Sequence, residues 1–509
     1  MMPAVKDSGS HMLSALLAGL AKVGSGEDRG VTGLSLDSRG ARAGDLFLAC
    51  SGSQGHGLQY IEQALQAGVA AVAWEPSRRF TELPPPLAEA RGRVPAFAIE
   101  DLGNQIGVIA DRFYGHPSQR LHVIGVTGTD GKTSCSQFLA KCLDGRRGRC
   151  GVIGTLGYGL YGELTSPTHT TPDAIRVHRL LAEMADGGAR YVVMEVSSHG
   201  LEQGRVAGVA FDIAVLTNLS RDHLDYHGDT AAYARAKRRL FEMPGLRMAV
   251  LNLDDAFGRE LLRTLPPSVA RTGYGFRGLD DASEPQVLGS ELRLRHDGFS
   301  LQVSSPWGSR PIQSTLLGAF NASNVLAVLT VLLVGGLPFD EACNAVQALS
   351  TVPGRMERFG GDGRPTVVVD YAHTPEALRH VLEALRGHVA GKLWCVFGCG
   401  GDRDRGKRPL MGAVAEQLAD RVVVTDDNPR HEDPQAIIAD ILSGMQDADR
   451  ARVLRDRATA IRTALEAAAP EDVVLIAGKG HETLQLVGDR KLPFSDREQV
   501  SRLVGESRP

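Results

Sequence analysis

Paired cysteines are what this 509-residue chain lacks first. Its seven cysteines (Cys50, Cys135, Cys142, Cys150, Cys343, Cys395 and Cys399) are scattered, and the one close pair, Cys395 and Cys399, has no second pair to complete a site. That excludes a zinc ribbon and a disulfide framework, and reduced thiols in a cytosolic protein are the simplest account. A long hydrophobic run is missing as well. The most apolar long segment, 325–337, is shorter than the ~20 residues a membrane span needs, and no signal-peptide context accompanies it. Charge of one sign is absent too: a net charge of −4 and a pI near 6.4 exclude nucleic-acid binding as the main business of the chain, so an anionic substrate must be met by local Arg and Lys. There is no internal repeat and no low-complexity tract. What is present, 43% hydrophobic and 23% charged residues, suits folded domains, and at ~150 residues per domain the length suggests about three. GSHM at 9–12 resembles a cloning remnant, so residues 1–12 are set aside as a leader.

Three stretches of different texture follow. A helical pattern at 13–22 precedes short apolar alternations broken by Gly and Asp. A second helical pattern, YIEQALQAGVAAVAW, runs into Pro84-Pro85-Pro86 and a strand near 94–99. This is a small α/β domain. From Leu121, strands (VIGVTG, YVVMEVSS, DIAVLTN, MAVLNLDD) alternate with longer helical patterns, which implies a mostly parallel sheet covered by helices on both faces. Short alternating stretches over 270–313 suggest antiparallel strands, and a helix follows at 321–334. After Pro353-Gly354 a second series begins: TVVVDYAH, KLWCVFGCGG, RVVVTDDNPR and DVVLIAGKG. Its first strand has no G-x-G-x-x-G, so it reads as a substrate-gripping, Rossmann-like α/β domain rather than a dinucleotide binder. The expected fold is α/β in three domains, 13–117, 118–352 and 353–509.

The most informative stretch is VIGVTGTDGKTS at 123–134. An apolar run gives way to spaced glycines and then Gly131-Lys132-Thr133, a combination that cradles phosphates. Backbone N–H groups approach phosphate oxygens, the lysine neutralises β/γ charge, the threonine hydroxyl can reach Mg²⁺, and the helix N-terminus adds positive potential. The usual G-x-x-x-x-G-K-[ST] spacing would put its first glycine at 126. Here that residue is Val126, and the glycine is Gly125. Glu195 ends the buried run VVM before Ser197, Ser198 and His199; it could hold a metal beside the loop, or merely cap the next helix. Asn218, Asp222, His223, Asp225 and His227 crowd the loop after another strand. They could bind a metal or transfer protons, although no standard zinc spacing is present and a polar loop explains them nearly as well.

Taken in order, GVTGTDGKTS, HTTPD at 169–173, MEVSSHGL at 194–201, TNLSRDHLDYHG, GAFNASN at 318–324, GRME at 354–357, DYAHTP at 370–375, GCGGDRDRGKRP at 398–409, DNPR at 427–430 and AGKGHE at 477–482 resemble the Mur ligases of bacterial cell-wall synthesis, in their diaminopimelate-adding branch. The likeness runs over essentially all of 30–500, and Gly125 is itself the family's form of the phosphate loop. The resemblance implies a cytoplasmic, monomeric, ATP-dependent ligase of peptidoglycan precursor synthesis. It would join meso-diaminopimelate to the D-Glu γ-carboxylate of UDP-MurNAc-L-Ala-D-Glu through an acyl phosphate, with Mg²⁺ as cofactor and no nucleic-acid or membrane partner.

Site residues carried over by the same resemblance are as follows. Gly125, Thr127, Gly128, Thr129, Asp130, Gly131, Lys132, Thr133 and Ser134 would hold the ATP phosphates, and Asn324, Arg355 and Asp370 the nucleotide from the C-terminal side. Lys132, Glu195, His223 and Lys237 would be catalytic, with Thr133, Glu195, His223 and a carbamate on Lys237 as metal ligands. By its own pattern, Lys237 in YARAKRRLF is a solvent-facing helix lysine. Leu36, Ser38, Ser53, Gln54 and Gly55 would meet the UDP moiety, and His169, Thr170, Thr171, Ser197, Gln203 and Arg205 the muramoyl peptide; His169 stands where some members have Asn. Arg403, Asp427, Asn428, Pro429, Arg430, Gly478 and Glu482 would hold diaminopimelate. Arg430 would read the distal carboxylate that lysine lacks, since a planar guanidinium suits that task, and Glu482 would take the distal ammonium. Folylpolyglutamate synthetase and the D-Ala-D-Ala-adding ligase are rivals that the LDSR and DNPR segments oppose. A nucleotide-dependent binding protein without ligase activity is opposed by the presence of Lys132, Glu195, His223 and Lys237.

Overall fold

A computed structural model describes residues 10–505 apart from 53–54, 91, 147, 168, 221, 281–282 and 362. The chain forms two compact units, one of residues up to Tyr274 with Gly278–Gln286 and Thr330–Val334, the other of Gly275–Arg277, Val287–Leu329 and Gly335 onward. No helix of the described residues is long and apolar enough to cross a membrane.

Two sheets build the first unit. The smaller has four parallel strands in the order Gly33–Ser35, Asp45–Ala49, Ala71–Trp74, Ala96–Ala98. Cover on both faces explains why DLFLA and AVAW are buried throughout. Leu46, Leu48, Ala71 and Ala73 pack on one face with Leu13, Leu16, Ile106 and Ile109, while Phe47, Ala49, Val72 and Trp74 pack on the other with Leu58, Ile61 and Leu87. Two helical expectations are shortened here. The helix at 13–22 covers only Leu13–Leu16. The pattern from Tyr60 divides into a helix, Ile61–Gln66, and a strand, Ala71–Trp74, because Gly68 takes a left-handed φ of +82° and ends the helix. His11 and Met12, set aside as leader, pair antiparallel with Val31 and Gly30, and the His11 ring packs 5.0 Å from Phe113.

The larger sheet runs in the order Gly157–Leu160, Arg149–Gly154, Ala189–Glu195, His122–Thr127, Ile213–Leu216, Met248–Asn252, Ala270–Gly275. All but the first of these pair in parallel. The phosphate-loop strand is therefore flanked by the strands ending in Glu195 and Leu216, and the register sets Val126 beside Glu195 and Thr127 beside Leu216. Three strand ends converge where an open parallel sheet collects its ligands.

In the second unit, Gln286–Arg295, Gly298–Ser305 and Gly308–Ser314 form an antiparallel meander, whereas Ala270–Gly275, included in the expected antiparallel stretch, pairs in parallel with Met248–Asn252. A six-stranded sheet follows in the order Glu357–Gly360, Thr366–Asp370, Val473–Ala477, Leu393–Phe397, Arg421–Val424, Ala451–Val453, parallel except at the first strand. The runs TVVVD and VVLIA are continuous because both faces are covered. Val368, Val473 and Leu475 enter one core, Val367, Val369, Val474 and Ile476 the other.

Candidate active site

Gly131, left-handed at φ +81°, ends the phosphate loop and opens the helix Lys132–Leu143. Gly128 has φ +153°, and a Cβ there would lie 1.8 Å from Thr217 Oγ1, so only glycine fits. The neighbouring strand end grips the loop. Thr217 Oγ1 donates to Asp130 O at 2.6 Å, Thr129 N donates to Asn218 O at 3.0 Å, and Asp130 N donates to Asn218 Oδ1 at 2.9 Å. Gly125 lies inside the strand His122–Thr127, where a Cβ would come 2.8 Å from the Phe211 ring. Its position in the motif is thus also a packing requirement, and Thr127 closes the same strand while Ser134 sits in the first helical turn.

Glu195 is fully buried and more than a helix cap. Its Oε2 accepts from Thr133 Oγ1 at 2.9 Å and from Thr155 Oγ1 at 3.1 Å, and its Oε1 accepts from Thr155 N at 2.8 Å. Carboxylate and P-loop hydroxyl thus stand side by side before any ligand is considered. Among the described residues no three His, Cys, Asp or Glu side chains gather to cage a metal unaided.

Lys237 overturns the expectation drawn from its helix pattern. It lies in the helix Thr230–Arg238 but is only 1% exposed, and its Nζ donates to Gly128 O at 2.6 Å. Lys132 Nζ donates to the same carbonyl at 2.9 Å and to Thr129 O at 2.7 Å. Burial, reinforced by the Lys132 charge, drives the Lys237 amine well below its ordinary range and favours its neutral form. The Tyr233 ring lies 4.5 Å from Nζ, and the Tyr233 hydroxyl is 3.2 Å from Thr129 Oγ1. His223, exposed and left-handed at φ +54°, stacks edge-on to His199 at 4.9 Å and faces Tyr233 at 6.2 Å. Asp222 Oδ2 is 3.3 Å from its Nε2.

Next to Glu195 the expected peptide contacts form one network. Thr170 Oγ1 is 3.1 Å from Thr155 Oγ1, and Thr171 Oγ1 donates to Glu195 O at 2.9 Å and accepts from Ser197 N at 3.0 Å. Arg205 Nη1 donates to Thr171 O at 2.7 Å, and its Nε and Nη2 grip Gln203 Oε1. His169 N donates to the Tyr158 hydroxyl at 3.0 Å, so its backbone is tied down whatever its ring does. On the smaller sheet, Ser38 Oγ donates to Gln63 Oε1 at 2.8 Å, Leu36 packs on the core and Gly55 is left-handed at φ +145°. Ser53 and Gln54 lie outside the described residues.

In the second unit Asp370 is buried and accepts from Met356 N and Ala372 N, each at 2.8 Å; burial pushes its carboxyl up, opposed by Arg355. The Arg355 guanidinium lies 4.9 Å over the Tyr371 ring. Asn324 is buried on the helix Ala319–Val334 and donates to Asn321 Oδ1 at 3.1 Å. Farther along the same strand ends, Arg430 is left-handed at φ +51° and clipped to the hairpin that follows Glu482. Its N donates to Leu486 O at 3.0 Å, its O accepts from Gly488 N at 2.7 Å, and its Nη1 donates to Gly401 O at 2.8 Å. Asn428 Nδ2 donates to Glu482 Oε2 at 2.9 Å. Gly478 must be glycine, since a Cβ would meet Asp427 Oδ2 at 2.6 Å. Pro429 is buried between Asn428 and Arg430, and Arg403 is exposed on the loop after Leu393–Phe397.

This arrangement has counterparts among known proteins. The Mur ligase family, catalytic domain, matches residues 30–114, the Mur ligase middle domain 126–332, and the Mur ligase, glutamate ligase domain, 354–480. The UDP-N-acetylmuramoyl-L-alanyl-D-glutamate--2,6-diaminopimelate ligase of Alkalilimnicola ehrlichii is 56% identical over 481 residues, covering 94% of this chain and 96% of its own. The chain belongs to the Mur ligase family. The ligase of the same name from Coxiella burnetii is 49% identical, over 93% of this Mur ligase and 96% of its own length. A solved structure of a UDP-N-acetylmuramoyl-L-alanyl-D-glutamate--2,6-diaminopimelate ligase is 38% identical, with a TM-score of 0.70 over 94% of this chain and 95% of that one.

Three residues of this Mur ligase escaped the sequence reading. Thr155 joins Glu195 to Thr170; Lys479 lies unassigned within AGKGHE; and Arg457 is fully buried, donating through Nε and Nη2 to Asp496 at 2.7 Å and through Nη2 to Ala477 O at 2.9 Å. A lysine between glycines was the one available signal for Lys479. Arg457 and Asp496 are separated by 39 positions and carry none.

Proposed function

We propose that this Mur ligase makes the amide bond between meso-diaminopimelate and the D-Glu γ-carboxylate of UDP-MurNAc-L-Ala-D-Glu at the expense of ATP, in peptidoglycan precursor synthesis. A carboxylate is inert to amines at neutral pH, so ATP first converts it to an acyl phosphate. The diaminopimelate amine then attacks that carbonyl, and the tetrahedral intermediate collapses with loss of phosphate. The chain supplies alignment, charge neutralisation and exclusion of water rather than a covalent partner.

The observation that carries the reading is Lys237, an amine buried against the phosphate loop and biased towards its neutral form. A neutral amine adds CO₂, and the carbamate so formed offers anionic oxygen where an ammonium would repel a cation. Thr133 and Glu195 add a hydroxyl and a carboxylate. Such oxygens suit Mg²⁺, which takes one or two carboxylates from a protein and completes its shell with phosphates and water. When bound, the ion neutralises phosphate charge. Gly128 to Ser134 hold the phosphates through backbone N–H groups, Lys132 pairs with them, and His223 is a candidate for a second ion. Thr170, Thr171, Ser197 and Arg205 would orient the peptide, and Leu36, Ser38 and Gly55 the UDP end. Asn324, Arg355 and Asp370 would hold the nucleotide.

Arg430 supports diaminopimelate over lysine. The hairpin and Gly401 fix its backbone and one arm of its guanidinium, and a fixed guanidinium left facing an uncharged methylene is costly. The monomeric state and the cytoplasmic setting belong to the same proposal, since UDP-linked precursors and ATP are cytoplasmic substrates. The test is omission. Purified protein with ATP, Mg²⁺, UDP-MurNAc-L-Ala-D-Glu and meso-diaminopimelate should release phosphate and yield a product heavier by one diaminopimelate residue, whereas phosphate release unaffected by leaving out the amino acid would overturn the ligase reading.

A further inference from the structure

Lys479 is wholly buried in the turn after Val473–Ala477. Glycines on both sides make that possible: Gly478 and Gly480 are left-handed at φ +117° and +52°, and a Cβ on Gly480 would lie 2.8 Å from Tyr371 Cβ. Turned inward, its Nζ donates to Asn428 Oδ1 at 3.0 Å, Glu482 Oε2 at 2.8 Å and Leu484 O at 2.8 Å, which uses all three ammonium donors. Asn428 is thereby oriented. Its Oδ1 takes Lys479 and Leu486 N, the latter at 3.0 Å, which turns Nδ2 to Glu482. Both donors to Glu482 meet the same oxygen, Oε2.

We propose that Lys479 is a positioning residue for amino-acid selection: its buried ammonium fixes the Asn428 amide and the Glu482 carboxylate so that Glu482 presents Oε1, as an anion, to the distal ammonium of the incoming diamino acid. This rests on the diaminopimelate reading of the site. Two of its three acceptors are side chains of the proposed amino-acid site, and a buried cation is tolerated because its partner is an anion. Burial by itself would raise the Glu482 carboxyl; hydrogen bonds and charge from Lys479, with help from Asn428 and His481, hold it below its ordinary value. Asp427, Arg457 and Tyr371 are the other titratable or charged groups that feel Glu482.

The experiment is a double-mutant cycle on the full chain with Lys479→Met and Glu482→Gln, reading kcat and the KM for meso-diaminopimelate, ATP and UDP-MurNAc-L-Ala-D-Glu. Lys479→Met should raise the diaminopimelate KM about ten- to a hundredfold, the range of a lost charged hydrogen bond, with the other two KM values unchanged. In the Glu482→Gln background the same change should cost clearly less than in the native protein, because the charged one of the two partners it serves is gone. The kcat/KM of Lys479→Met relative to wild type should also fall as pH is lowered, since burial without the lysine raises the Glu482 carboxyl and it is protonated before that of the native protein. Additive losses, equal rises in all three KM values, or a flat pH ratio would overturn the proposal. If Lys479→Met does not fold, Lys479→Gln gives the same readings. Wild-type turnover with an additive cycle defeats this inference alone; no wild-type turnover defeats the diaminopimelate reading and this inference with it.

Discussion

Lys237 shows how one side chain changes meaning between sequence and structure. In YARAKRRLF its neighbours Arg235, Arg238 and Arg239 mark a cationic helix, and the ordinary fate of such a lysine is solvent. The packed helix instead turns this position onto the Gly128 carbonyl, next to a second ammonium, and the depressed basicity follows from that placement. Lys237→Ala should therefore lose most ligase activity, on the order of 100-fold or more, and added bicarbonate should not restore it. With ¹³C-bicarbonate at neutral pH the native protein should give a carbamate carbon resonance that the variant lacks; full activity in the variant would show the carbamate to be dispensable. Arg457 makes a different case. Its pair with Asp496 is 0% exposed on both sides, so Arg457→Met, which strands a buried carboxylate, should cost about 3–5 kcal/mol in unfolding free energy. Converting both partners to apolar residues should recover much of that in denaturant titrations.

Elements were legible where their periodicity was strong, and misjudged where glycine intervened. The parallel strands of both large sheets fall where continuous apolar runs put them, because burial on two faces demands such runs. Helix lengths fared worse: an apolar pattern continues across Gly68 although the chain there turns left-handed and becomes a strand. The end of a strand, where Glu195 lies, was legible because position along a strand fixes position in the sheet, and the structure sets it there beside Thr133; its part in the chemistry is a proposal. Contacts made by tertiary packing, such as Thr155 with Glu195 and Arg457 with Asp496, were not legible, because no local spacing records them. The phosphate loop shows the same coupling. Gly128→Ala should clash with Thr217 and move the loop, reducing kcat/KM for ATP on the order of 100-fold. Thr217→Ala in that background should recover part of the loss by opening the space; if Gly128→Ala retains native kinetics, the close approach is not needed.

At the scale of the molecule, the two units gather two different sets of proposed site residues. The first brings the phosphate loop, Glu195, Lys237 and the Thr170–Arg205 network to the ends of one sheet, and the second brings Asp427, Asn428, Arg430, Gly478 and Glu482 to the ends of another. The two alternating series of the sequence correspond to the two parallel sheets, while the division of chemical labour between them and the domain borders at 117 and 352 remain proposals. Selection of the amino acid is the claim on which the rest converges. The most direct measurement is kcat/KM for meso-diaminopimelate against L-lysine with the same ATP, Mg²⁺ and UDP-MurNAc-L-Ala-D-Glu. A preference for diaminopimelate of about 1,000-fold or more is expected from an unpaired guanidinium facing lysine, together with loss of that preference in Arg430→Ala. Equal turnover of the two amino acids by the native protein would contradict it.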